Sequence, residues 1–218
     1  MIASESAARA FTASLCDGVA MERLEKLAAL LVEENARQNL IARASVDSMW
    51  QRHIADSAQL LGYVSRETIA PWLDLGTGAG FPGLVIAAMR PAWKVHLVES
   101  RKRRIEWLEA ACDALGLVNC MVEGERLEQV PTFAAGVISA RAFAPMPRLL
   151  ELAERFSTKE TIWLLPKGRS ATQDLQSLGK NQRSLFHVEH SVTDSEAGII
   201  IGGPVQQQVR PEARQAAS

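Results

Sequence analysis

Asp74-Leu75-Gly76-Thr77-Gly78-Ala79-Gly80-Phe81-Pro82-Gly83 carries the strongest local signal in the chain. It ends a short apolar run, Trp72-Leu73-Asp74-Leu75, and opens an apolar segment, Pro82 to Met89, long enough for a helix. Glycines between a strand end and a helix start permit a tight turn and let a ligand approach the backbone with no Cβ in the way. Gly78, Gly80 and Gly83 satisfy G-x-G-x-x-G, so a nicotinamide or flavin dinucleotide is one occupant that the turn admits. Asp74 weighs against it. A carboxylate aimed at the site repels a pyrophosphate and attracts the ammonium and sulfonium of S-adenosylmethionine. The local residues therefore favour the methyl donor, with the dinucleotide and a purely structural glycine turn as the rivals.

Further along, Val95-His96-Leu97-Val98 reads as a second strand ending at Glu99, 23 positions beyond Gly76. An acid there accepts hydrogen bonds from ribose hydroxyls in either cofactor class, or simply pairs with a nearby arginine. Ser100 is expected to cap a helix through Ile105, Trp107, Leu108 and Ala111. Asn119 to Val122, Ala135 to Ser139 and Thr161 to Leu165 read as three more strands, and Ser184 to Glu189 and Gly198 to Gly202 as an antiparallel edge pair. Strands alternating with helices imply an α/β fold with a mainly parallel sheet. Before Pro71 the pattern is helical: Ala20, Leu24, Leu27 and Leu31 recur at helical spacing, and a polar turn lies around Asn35–Asn39. A second helix is expected from Ser45 as N-cap, with Val46, Met49, Trp50, Ile54, Leu60 and Leu61 on one side. The expected organisation is a helical cap over 1–65, packed on a Rossmann-like domain over 66–205, and a loose polar tail over 206–218.

The 218 residues carry 24 basic and 25 acidic side chains, with 47% hydrophobic and 22% charged residues. That is a globular chain of one domain or one with an appendage, not a disordered, collagen-like or disulfide-scaffold protein, and not a bulk polycation. Three scattered cysteines, Cys16, Cys112 and Cys120, read as reduced thiols without a zinc motif. The sequence shows neither a membrane-length apolar run nor a secretory leader, so a metal-free cytoplasmic protein, expected to be a monomer, is the reading.

The near-neutral total is unevenly spread. Residues 71–170 hold 13 basic and 11 acidic side chains, whereas residues 1–70 hold 7 and 9. Arg101-Lys102-Arg103-Arg104 is the densest positive run, and four cations in the first turn of a helix oppose its dipole. A phosphate-rich partner accounts for them, as does a solvated helix face. Arg52 and Lys167, the latter just after the fifth strand, are further candidates for phosphate contact. Ser139-Ala140-Arg141-Ala142-Phe143-Ala144-Pro145 follows the fourth strand, so Arg141 and Phe143 should face the same crevice as the glycine turn. In Arg52-His53-Ile54-Ala55-Asp56-Ser57, His53 falls on the apolar side of its helix and reads as a packing histidine, with Asp56 at the edge.

Taken in order, Asn39-Leu40-Ile41-Ala42, Arg52 to Ser57, Asp74 to Gly83, Val98-Glu99-Ser100 with Lys102-Arg103, and Ser139 to Ala144 resemble the RsmG, or GidB, family of ribosomal RNA guanine-N7 methyltransferases. The resemblance covers approximately 39–168. It implies a class I methyltransferase fold with a mainly parallel seven-stranded sheet and an antiparallel edge, S-adenosylmethionine as cofactor, and N7 of a guanine in 16S rRNA, guanine 527, as acceptor. Family contacts to the cofactor carry over to Gly76, Phe81, Leu127, Glu128 and Arg141, which join Asp74, Gly78, Gly80 and Glu99 from the residue-level reading. The family often has Arg-Ala-Glu-Glu where this chain has Arg126-Leu127-Glu128-Gln129, and a threonine where it has Ile41. Guanine N7 carries a free lone pair, so no general base is expected, and Arg141 and Phe143 are the candidate positioners. A nicotinamide-dependent oxidoreductase and a non-catalytic RNA-binding assembly module are the alternatives.

Overall fold

Alternation along the strands decides what each face of the sheet buries. The computed structural model describes residues 1–65, 68 and 71–203. Its seven strands are β1 (Trp72–Leu75), β2 (Val95–Val98), β3 (Cys120–Glu123), β4 (Val137–Ala140), β5 (Ile162–Lys167), β6 (Phe186–His190) and β7 (Gly198–Gly202). They lie in the order β3-β2-β1-β4-β5-β7-β6, all parallel except β7, which runs antiparallel to both neighbours. Trp72, Val95, Leu97, Val137, Leu164 and Ile201 point to one core, and Leu73, Leu75, Val98, Ile138, Leu165 and Ile200 to the other. The period of two thus serves a sheet buried on both sides.

The first core is shared with the N-terminal helices. Leu24, Leu27 and Leu31 of α2 (Gly18–Asn35) and Ala8 of α1 (Glu5–Ala13) belong to the same cluster as Trp72 and Leu97. Within the N-terminal segment a π-helical turn, Trp50–Ala55, runs into α3 (Asp56–Ala58). Between α2 and the sheet lies α4 (Gly83–Met89), buried at every position, which is why its sequence is apolar all round. On the same face α5 (Lys102–Leu115) follows β2. The opposite face is covered by α6 (Met146–Ala153) and α7 (Ala171–Gln176).

Two helix starts differ from the sequence reading. Ser45 caps no helix: its hydroxyl donates to Ala42 O and lies 2.9 Å from His53 Nε2. The helical run begins later because Glu5, on α1, accepts from the backbone N–H groups of Trp50 and Gln51, each at 2.9 Å. A long-range carboxylate satisfies the orphan donors that a local serine was expected to serve. Ser100 is not the cap of α5 either; its N–H and that of Arg101 donate to Glu99 Oε1 at 2.8 and 2.9 Å. The three cysteines are unbridged. The tail expected over 206–218 lies outside the described residues.

Candidate active site

Asp74 anchors the glycine turn from inside. None of it is exposed, and both carboxylate oxygens are engaged: Oδ1 accepts from Ser139 Oγ at 2.7 Å, and Oδ2 accepts from Thr77 Oγ1 and, at 3.1 Å, from Gly83 N. Ser139 Oγ in turn accepts from Trp72 Nε1 at 2.7 Å. Burial pushes the Asp74 carboxyl up, opposed by its hydrogen bonds to Thr77, Ser139 and Gly83. The electrostatic reading of Asp74 as a carboxylate facing the ligand is therefore corrected. It holds the first N–H of α4 and ties β1 to β4, and it gives the turn its shape. Thr77 and Ser139, its partners, lie inside the glycine-turn and Ser139–Ala144 motifs, but neither is among the site residues expected from the sequence.

The turn itself needs its glycines. Gly76 has φ +62°, and a methyl built on it would sit 2.6 Å from Phe143 Cδ2, so the β4 loop lies directly on the turn. Gly78, at φ +60°, would place a methyl 3.4 Å from Arg104 Nη1. Phe81 ends the turn fully within the core.

Beside it, Glu99 is buried, with Arg104 Nη1 3.7 Å from its Oε2. Arg104 thus turns inward over the glycine turn, whereas Arg101, Lys102 and Arg103 are exposed. The basic run is divided: three cations face solvent and the fourth joins the crevice. After β3, the Leu127 side chain packs in the second core and its carbonyl accepts from Arg155, so any ligand contact from Leu127 falls to its backbone. Glu128 is exposed and lies 3.5 Å from Arg148.

Arg141 leaves β4 where β1 leaves for the turn, since Ala140 and Leu75 are paired in register. Its guanidinium lies 5.4 Å from the Phe81 ring centroid, 3.2 Å from His53 Nδ1 and 3.9 Å from Asp56 Oδ2. Ala142 then adopts φ +55°, a left-handed conformation that costs about 1–2 kcal/mol for a residue with a Cβ. This bend sends Arg141 toward Phe81 and Phe143 onto Gly76.

His53 does more than fill the core. Its ring stacks on Phe81 at 5.1 Å between centroids, Nε2 meets Ser45 Oγ, and Nδ1 meets Arg141. Burial, then Arg141 and Arg52, push it down to about 3, so the ring is neutral and Nδ1 is free to accept from Arg141. Asp56 is pushed up by burial, against hydrogen bonds from Thr193 and Ser191 and the charges of Arg141 and Arg52. The sequence missed the π-helical turn that presents His53 and leads into Asp56 at the start of α3; such turns recur at functional sites.

Arg52, His53, Asp56, Arg141, Lys167 and Thr193 line a cavity of about 490 Å³ at the carboxyl ends of β4 and β5. Arg52 is exposed at this cavity, and Lys167 is held at 3.1 Å by Asp174 with only 10% of its side chain exposed. Lys167 is thus a paired cation at the wall, not the free phosphate contact expected of it. Arg52 and the exposed part of the basic run lie on separate elements, before α3 and at the start of α5.

The family model described as rRNA small subunit methyltransferase G (GidB) matches residues 20–199. A ribosomal RNA small subunit methyltransferase G from Erythrobacter litoralis is 60% identical over 202 residues, covering 93% of this chain and 97% of its own length. One from Novosphingobium aromaticivorans is 55% identical over 188 residues, covering 85% of this chain and 81% of its own length. Among solved structures, a SAM-dependent methyltransferase from Aquifex aeolicus superposes with TM-score 0.54 at 16% identity over 71% of this chain and 90% of its own. Fibrillarin from Aeropyrum pernix, solved with natively bound S-adenosyl-L-methionine, gives 0.53 at 13% identity over 70% and 75%. At these identities the structures share the fold, a class I methyltransferase architecture.

Proposed function

As the chain belongs to the rRNA small subunit methyltransferase G (GidB) family, we propose that it methylates N7 of a guanine in 16S rRNA, positioning that base in the cavity beside Phe81. It is an S-adenosylmethionine-dependent methyltransferase, and family membership sets aside the nicotinamide-dependent oxidoreductase. Its proposed setting is the cytoplasm, as a monomer in which the 1–65 cap and the sheet act as one domain through their shared core. Among the described residues no helix is long and apolar enough to cross a membrane.

The residues fit the cofactor. A side-chain methyl on Gly76 would meet Phe143 and one on Gly78 would meet Arg104, so the turn at the end of β1 leaves its backbone bare there, and Glu99 stands at the end of β2. When bound there, S-adenosylmethionine supplies an electrophilic methyl group on a sulfonium. Asp74, buried and engaged, contributes by fixing the cradle. Phe81 and Phe143 shield the turn from water.

The single observation that carries the reading is the Arg141 constellation. A cation leaving β4 is held by neutral His53 and by Asp56, over Phe81 and next to the cavity. Guanine N7 keeps its lone pair at neutral pH, so the chain has no proton to remove from it. The task left to the protein is orientation, with reacting atoms about 3–3.5 Å apart and aligned. Arg141 and Phe143 hold that geometry, and His53 and Asp56 hold Arg141. Arg101, Lys102 and Arg103, with Arg52, are the proposed phosphate contacts, while Arg104 serves the cofactor side.

The test is methyl transfer from labelled S-adenosylmethionine to small-subunit RNA by the wild type and Arg141→Lys. A lysine keeps the charge and loses the planar guanidinium whose Nη1 faces both His53 Nδ1 and Asp56 Oδ2. The expected result is a fall in turnover of at least roughly tenfold with cofactor affinity within a few-fold, as for a lost charge-assisted contact. Equal turnover by the variant would remove Arg141 from the site, and no transfer by the wild type would favour the non-catalytic assembly module.

A further inference from the structure

Methyl transfer as derived above uses Asp56 only to hold Arg141, yet the environment of Asp56 is asymmetric. Its Oδ1 accepts from Gln59 Nε2 at 2.7 Å, Thr193 Oγ1 at 2.8 Å and, more loosely, Ser191 Oγ at 3.4 Å. Its Oδ2, among the described residues, has Arg141 Nη1 at 3.9 Å, beyond hydrogen-bond distance. The side chain is 20% exposed and lines the cavity. One carboxylate oxygen is saturated and fixed; the other, among the described residues, has no donor within hydrogen-bond distance.

A nucleobase entering this cavity must offer that oxygen a donor. Guanine carries its exocyclic N2 amino group on the edge opposite N7, and adenine, cytosine and uracil have no such group. The cavity has the matching polarity along its length. Arg141, whose guanidinium lies 5.4 Å from the Phe81 ring centroid, lines it on the β4 side, toward the glycine turn. Thr193 and Ser191, which orient Asp56, belong to the β6–β7 connection on the far side of β5. A base spanning the cavity with N7 toward the turn therefore points N2 toward Asp56. Extruded bases are read by hydrogen bonds to their Watson–Crick edge, to which the N2 amino group of guanine belongs.

We propose that Asp56 is the specificity-determining residue of the reaction: its Oδ2 accepts a hydrogen bond from the N2 amino group of the target guanine, and its Oδ1 is anchored by Gln59 and Thr193 to keep it there. This rests on the N7-methylation reading above.

The experiment compares guanine with inosine, which lacks only the N2 amino group, at the target position of a ligated small-subunit RNA. Each is tested with the wild type and with Asp56→Asn. The amide keeps a carbonyl oxygen for the Oδ1 donors and replaces the free oxygen by a donor. For the wild type, kcat/KM is expected to fall roughly tenfold to a hundredfold from guanine to inosine, the range for one lost charge-assisted base contact. For Asp56→Asn, the guanine rate should fall to about the inosine rate and the ratio should approach one. Thermal melting and an S-adenosylhomocysteine titration check that the variant folds and binds cofactor; should it not fold, the wild-type ratio alone decides. A wild-type ratio near one, or a variant that keeps the wild-type ratio, overturns the proposal. Failure of the underlying reading looks different: the guanine substrate then yields no 7-methylguanosine at all. A ratio near one with 7-methylguanosine present sinks only the role of Asp56.

Discussion

Acidification from pH 7.5 to 5 should destabilise the wild type more than His53→Gln, and the size of the gap follows from the burial of one ring. In the fold His53 is pushed down to about 3, by burial first and then by Arg141 and Arg52. In the unfolded chain it returns to about 6.5. The sign is that of a base with a depressed folded pKa: below 6.5 the unfolded state takes up a proton that the native ring refuses. The stability present above pH 6.5 is thus lost progressively toward pH 3. At pH 5 the loss is about 1.5 units at ~1.4 kcal/mol each, or ~2 kcal/mol. Glutamine retains an acceptor for Arg141 and does not titrate, so its variant lacks this loss. Urea denaturation followed by tryptophan fluorescence, on both proteins at both pH values, gives the difference of differences. That subtraction removes Asp74 and Asp56, whose raised pKa values stabilise the fold as pH falls. A gap below about 0.5 kcal/mol would mean that the native ring takes up its proton almost as readily as the unfolded one. So would a ring proton signal of His53 that titrates near 6.5.

Three other perturbations probe the framework. Ser139→Ala strands the Trp72 indole N–H and one oxygen of Asp74 in a buried site, and should cost about 2–3 kcal/mol in chemical denaturation. Ala142→Gly removes the left-handed penalty and should raise stability by up to about 1 kcal/mol, with turnover reduced as the loop loosens; a destabilised variant in the same denaturation assay would contradict the strain. Neutralising Arg101 and Arg103 should lower the slope of log affinity against log salt for RNA by roughly 1.4–1.8, and an unchanged slope in a titration series would place these side chains outside the interface.

The strands were legible because a sheet buried on both faces needs continuous apolar runs, and Trp72–Leu75 or Gly198–Gly202 admit no other use. The glycine turn was legible because positive φ at Gly76 and Gly78 leaves few residue choices. The helix starts at Ser45 and Ser100 were misplaced for one reason. In both, a glutamate takes the backbone N–H groups, and Glu5 does so from 45 and 46 residues away, a distance that local pattern does not span. His53 followed the apolar stripe and read as packing, which its stack on Phe81 is; its second role depends on Arg141, 88 positions later. Asp74 shows the opposite error. The right residue was singled out on an argument about ligand charge, whereas its oxygens serve Ser139, Thr77 and Gly83. Arg104 shows that a charge run is not a unit, because the helical turn sends one of its four members to Glu99.

Transfer of a methyl group to N7 of guanine is read from the product itself. Small-subunit RNA incubated with the protein and deuterated S-adenosylmethionine can be digested to nucleosides and resolved by mass spectrometry. The predicted result is label in 7-methylguanosine and in no other nucleoside, with borohydride and aniline cleaving the RNA at a single guanine. Label in any other nucleoside would contradict it.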